Sequence, residues 1–171
     1  WIPAPVLSSK QVNANVSIQH IATLLDGSEY AAQAIPMTQY MCETTGSKLT
    51  LLSASKSFDS EKDKRGQIED YLCAIAEKVH TAGIQVTCSI RSESPAEAAK
   101  KLATEQHVDL VVVTTRGQSG EKNWLREGLS SKLVHLLDIP VLLIQVFESG
   151  PPEAPQIGRI LVALDGSDFA E

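Results

Sequence analysis

The feature that most constrains this chain is a regular alternation of short strand-like runs with helical ones. Residues 18 to 25 are mostly apolar and end at Asp26-Gly27, which reads as a strand. Residues 28 to 45 read as a helix, with Ser28 as N-cap, Glu29 in the first turn and Gly46 to close it. Pro36 inside that stretch predicts a kink. A second strand spans residues 49 to 54, and the polar run 55 to 66 reads as a mobile loop. Ile68, Leu72, Ile75 and Val79 recur at helical spacing, and Gly83 stops the helix. Residues 84 to 90 alternate as a half-buried strand, and Ser94-Pro95 opens a helix to about His107. Leu110 to Val113 is a buried strand, residues 130 to 137 a last helix and 141 to 146 a last strand. Strands separated by helices cannot form hairpins, so the order implies a parallel sheet with right-handed crossovers and helices on both faces. Ligands of such sheets sit at the carboxyl ends of the strands, where strand order reverses. The loops to watch are therefore Asp26-Gly27-Ser28 and the segment from Thr114 to Gly120.

A repeat sets the domain organisation. Residues 18–31 read IQHIATLLDGSEYA and residues 157–170 read IGRILVALDGSDFA, with seven of fourteen positions identical. The offset has the size of a domain, not of a solenoid unit. Between the copies, residues 148–156 carry three prolines and a glycine and read as a linker. The expected division is a tail over 1–16, one domain over 17–147, the linker, and an incomplete second domain over 157–171.

Composition excludes several classes. The net charge is -6 and the basic residues are scattered, which argues against a nucleic-acid surface. No run approaches the roughly 20 apolar residues of a membrane helix, and no signal-peptide pattern opens the chain. Cys42, Cys73 and Cys88 lack metal-ligand spacing and read as three buried thiols in a reducing compartment, so a cytoplasmic location is expected. His20, His80, His107 and His135 are dispersed, suggest no metal site or catalytic dyad, and read as surface or packing residues. There is no P-loop and no nucleophile elbow, so an enzyme reading has no support in the motifs.

Three segments in order resemble the universal stress protein family. They are Leu25-Asp26-Gly27-Ser28 with the following AAQAIP, the run from Val108 through Thr114-Thr115-Arg116-Gly117 to Gly120, and Ile139-Pro140-Val141-Leu142-Leu143-Ile144. The resemblance implies a three-layer α/β sandwich of the adenine-nucleotide α-hydrolase-like type. Its five-stranded parallel sheet would have the order 3-2-1-4-5. It also implies dimers, or a tandem pseudo-dimer, and in many members ATP binding.

The family's nucleotide pattern is Gly-x2-Gly-x9-Gly-(Ser/Thr), in which bare backbone N–H groups approach phosphate. Aligned without gaps, those positions become Thr114, Gly117, Glu127 and Gly128, and only Gly117 fits. Sliding by one residue makes Gly128 the third glycine, leaves Leu129 in the hydroxyl position, and puts Ser130 or Ser131 near it. Other contacts implied by the resemblance are better kept. Asp26 matches the aspartate that reads adenine, and Ala54 and Val113 match apolar positions beside it. Arg116, with Lys122 and Arg126, could neutralise phosphate. Without any ligand, Asp26-Gly27-Ser28 works equally as a strand-to-helix turn. Two functions follow. One is a regulatory and dimerisation module, paired through the last strand, with a degenerate nucleotide pocket. The other is a working ATP-binding switch. No metal is expected in either.

Overall fold

A computed structural model describes residues 6–8, 17–115, 128–146, 148, 157 and 159–161. Eleven elements are assigned among them. They are β1 (Val6–Ser8), β2 (His20–Leu24), α1 (Glu29–Ala32), α2 (Ile35–Thr45), β3 (Lys48–Ala54), α3 (Lys62–Thr81), β4 (Val86–Arg91), α4 (Pro95–Gln106), β5 (Leu110–Thr114), α5 (Leu129–Leu136) and β6 (Val141–Ile144). The sheet order is β1-β6-β5-β2-β3-β4. The five strands from β2 to β6 are all parallel and have the expected order, with β2 at the centre.

The alternation of side chains along each strand divides the core in two. Ile21, Leu49, Leu51, Leu110 and Val112 face α1, α2 and α3, where they meet Ala31, Cys42, Ile68, Leu72 and Val79. Ala22, Leu24, Leu52, Val111 and Val113 face α4 and α5, where they meet Ala98, Ala99, Leu102 and Leu133. Removing one such Leu or Val side chain from water contributes about 1.5–3 kcal/mol. The central strands β2 and β5 are buried along their whole length, which is why they read as mostly apolar runs without alternation.

The elements differ from the expectations in four places. The helix after β2 is broken, not kinked. α1 is one turn, and Pro36 sits in the first turn of α2, where its missing N–H costs nothing. The supposed mobile loop is short, because α3 starts at Lys62 and runs through Gly66. Its opening residues are charged helix formers, with Lys64 3.4 Å from Glu61. What remains of the loop is anchored by Phe58, 3% exposed within the α3-side core. The third difference is β1, within the segment read as a tail. It pairs antiparallel with β6, Val6 opposite Leu143 and Ser8 opposite Val141. It adds a sixth strand to the edge expected to serve as a partner surface. The fourth concerns the thiols. Cys42 is buried, but Cys73 and Cys88 are exposed, because α3 turns Cys73 off its buried stripe and β4 lies at the open edge of the sheet.

Much of the linker and of the second Asp-Gly-Ser segment lies outside the described residues. Ile157, Ile160 and Leu161 are exposed and belong to no strand. Among the described residues, no helix is long and apolar enough to cross a membrane.

Candidate functional site at the carboxyl ends of the strands

The parallel register decides which sequence-predicted residues can meet. β2 pairs with β3 on one side, Leu24 opposite Leu52, and the pairing continues through Leu25 N–H donating to the Leu52 carbonyl at 2.8 Å. On the other side Thr23 lies opposite Val112 of β5. Asp26, Ala54, Val113 and Thr114 therefore end neighbouring strands at the same edge. Val113 and Thr114 are buried, 4% and 6% exposed, while Asp26 and Ala54 are half-buried. Gly128 is the N-cap of α5, with extended backbone at φ -78° and ψ 170°. Ser130 lies in the first turn of α5. Arg116, Gly117, Lys122, Arg126 and Glu127 lie outside the described residues.

The Asp26 carboxylate is drawn into the turn that follows it. Its Oδ1 accepts from Ser28 N–H at 3.0 Å and from Ser28 Oγ–H at 2.6 Å. Ser28 Oγ in turn accepts from Ala31 N–H at 3.0 Å, which makes Ser28 the N-cap of α1. Gly27 has φ +86°, a conformation that carries a steric penalty for other residues, so the tight turn depends on it. The sequence signal of a capped turn is thus borne out in detail.

One residue of this site was missed by sequence reasoning. Tyr71 of α3 donates its phenol O–H to the Ser28 carbonyl at 3.2 Å. Burial, and then the nearby Asp26 charge, push its phenol up to about 12, so it stays a neutral donor. Its position three residues after Ile68 and four before Ile75, at the border of the buried stripe, was the available signal. On the β5 side, Thr115 N–H donates to the Ile144 carbonyl at 2.8 Å, and Thr115 Oγ accepts from Val146 N–H at 3.2 Å. These bonds tie the start of the predicted phosphate loop to the end of β6.

A groove at the start of α3, lined by Ser60, Glu61, Lys62, Asp63, Lys64 and Gln67, contains none of the predicted site residues. Its walls are charged and solvated, and we assign it no role in the site. Among the described residues no cluster of three or more His, Cys, Asp or Glu side chains could hold a metal ion.

The profile of the universal stress protein family matches residues 17–145. The chain belongs to the universal stress protein family. Solved structures agree at the level of the fold. A universal stress protein UspA from Lactobacillus plantarum superposes with TM-score 0.67 at 18% identity, covering 78% of this chain and 100% of that one. A universal stress protein in complex with cAMP gives TM-score 0.64 at 20% identity, covering 77% and 100%. A family protein from Arabidopsis thaliana with AMP bound gives TM-score 0.61 at 17% identity, covering 79% and 96%. No curated protein sequence matches the chain. Within the family frame, Asp26, Ala54, Val113 and Thr114 stand together at the carboxyl edge, with Tyr71 behind the first of them.

Proposed function

We propose that this universal stress protein domain acts in stress response, in the cytoplasm, as a regulatory and dimerisation module whose nucleotide pocket is degenerate. The observation that carries this reading is Thr114. It ends β5 as a buried, β-branched residue, 6% exposed, where the family pattern asks for glycine. A side chain there takes the space that lets backbone approach a phosphate. Asp26 supports the same reading, since Ser28 already engages its Oδ1 twice.

The second reading is an ATP-binding switch holding nucleotide at Asp26, Ala54, Val113, Thr114, Arg116, Gly117, Gly128 and Ser130. It is favoured by fold neighbours solved with AMP and with cAMP. Calorimetric titration of ATP into nucleotide-free protein, with AMP and ADP as controls, separates the two. Absence of heat and of thermal stabilisation at millimolar ATP is the expected result. Micromolar binding overturns the degenerate-pocket reading and establishes the switch. Pairing through the last strand carries a condition. Val141, Leu142 and Leu143 already pair with β1, so a partner strand has to displace it. Sedimentation of the full chain with Val6→Pro and Leu7→Pro, which weaken β1 pairing, is expected to show stronger self-association than the parent. Unchanged self-association would count against dimerisation at this edge.

A further inference from the structure

Oxidation chemistry has a place between α3 and the edge strand β4. Cys88, at the middle of β4, points its thiol at α3, where Sγ lies 3.8 Å from the Leu72 carbonyl. The residue following Leu72 is Cys73. A planar peptide holds a carbonyl oxygen about 2.8 Å from the next Cα, so Cys73 Cα lies within about 6.6 Å of Cys88 Sγ. Both residues are exposed to solvent. α3 packs directly on β4. β4 is the edge strand of the described sheet and is paired only with β3, so it can shift without breaking a second ladder.

We propose that Cys73 and Cys88 form a redox-responsive thiol pair, which a hydroperoxide converts to a disulfide that staples α3 to β4. The Cys73 thiolate attacks the O–O bond of hydrogen peroxide. An S–O bond forms, the O–O bond breaks, and the departing hydroxide takes a proton to leave as water. Cys73 is then a sulfenic acid. Cys88 sulfur attacks Cys73 sulfur, the S–S bond forms and the S–O bond breaks. The leaving hydroxide combines with the Cys88 proton as a second water. Two thiols and one peroxide thus give one disulfide and two waters.

The two cysteines have different parts in this sequence. Burial, and then the neighbouring Cys73, push the Cys88 thiol up, which keeps it protonated and disfavours it as the first thiol to meet peroxide. Once Cys73 is a neutral sulfenic acid, its share of that effect is gone. A bridge needs Cα atoms about 4.4–6.8 Å apart, so movement of the edge strand sets the backbone separation while rotation about χ1 brings the two sulfurs together. The staple acts on the turn of α3 that carries Tyr71, two residues before Cys73, whose O–H holds the Ser28 carbonyl. Cys42 is the internal control. It is 2% exposed, and its thiol is pushed up to about 11 by burial and Glu43, so it stays reduced.

The test is treatment of the full chain with one equivalent of hydrogen peroxide, followed by unfolding, thiol labelling and peptide mapping. The expected product retains one of its three thiols, Cys42, and contains a linked Cys73–Cys88 peptide that dithiothreitol separates. In Cys88→Ser, dimedone is expected to trap Cys73 as its sulfenic acid adduct. Overturning results are three labelled thiols after treatment, sulfinic acid on either residue with no linked peptide, or only disulfides between molecules. Persistence of the linked peptide's thiol loss in the Cys73→Ser, Cys88→Ser double variant would likewise overturn it, by placing the oxidation on Cys42.

Discussion

The two ends of the sheet are polar in different ways. At the amino end, polar side chains are buried and bonded across long sequence distances. His20 is 2% exposed, with Nδ1 3.0 Å from the Gln106 carbonyl and Nε2 2.8 Å from Thr50 Oγ. A carbonyl only accepts, so Nδ1 carries the proton and Nε2 accepts from Thr50. Thr50 then accepts from Thr87 Oγ, 3.0 Å away. Asp109 Oδ2 accepts from the N–H groups of Gln19 and His20 at 2.8 and 3.0 Å, which anchors the start of β2. At the carboxyl end the bonds around Asp26 are short-range, Asp26 to Ser28 and Ser28 to Ala31, with Tyr71 and, beyond β5, Thr115 making the long-range ties. The polar groups of the amino end satisfy one another and serve structure. The carboxyl end keeps Asp26 and Ser28 half-buried at the surface, where a ligand or partner can compete for them.

The largest expected effect is at the amino end. His20→Ala removes the bonds to Thr50 and to the Gln106 carbonyl, leaves a cavity where a buried imidazole stood, and is expected to lower stability by about 3 kcal/mol in urea unfolding. A loss below 1 kcal/mol would show that the network is not what holds this end. The same histidine should make stability depend on pH. Burial, outweighing its hydrogen bond to Gln106, holds its folded pKa below the usual 6.5. The unfolded chain therefore binds the proton first as pH falls. The His20 contribution is complete above about pH 6.5 and is lost as pH drops from there through the folded value. His20→Gln should flatten that slope, read from urea midpoints between pH 7.5 and 5.

At the carboxyl end, Asp26→Ala is expected to cost about 1 kcal/mol, the worth of a capped turn. Ser28→Ala should cost a similar amount, and the double variant less than the sum, since the two share one bonded unit. A cost near 3 kcal/mol for Asp26→Ala would erase the contrast between the two ends.

The smallest change should go the other way. Gly66 lies inside α3 near the carboxyl end, and a Cβ there would meet no atom within 4 Å. Gly66→Ala is expected to raise stability by about 0.5–1 kcal/mol in the same assay.

How far the sequence revealed this contrast depended on the range of the interaction. Ser94-Pro95 announced the start of α4, and Ser94 Oγ accepts from Glu97 N–H at 3.4 Å while Glu97 Oε2 accepts from Ser94 N–H at 3.3 Å, a capping box. Asp26-Gly27-Ser28 was legible for the same reason, because its partners lie within three residues. His20 read only as packing. Its partners Thr50 and Gln106 are 30 and 86 positions away, and the register that joins them is a property of the folded sheet. Tyr71 was hidden likewise, 43 positions from Ser28. The strand β1 escaped because three residues offer no alternation to detect, and its partner lies at the opposite end of the domain. The helical stripe of Ile68, Leu72, Ile75 and Val79 already leaves Cys73 off the buried face, whereas exposure of Cys88 depended on β4 being an edge, which no local pattern states.

The direction of β1 has a mechanical consequence. Val6 stands beside Leu143 and Ser8 beside Val141, so the chain enters β1 at the same end of the sheet by which it leaves β6. Tension between residues 6 and 146 pulls these neighbours apart at a single point. The antiparallel bonds then bear the load in turn, like a zipper, instead of together as in shear. The first yield under force is the peeling of β1, at low load, with the five parallel strands behind it still intact.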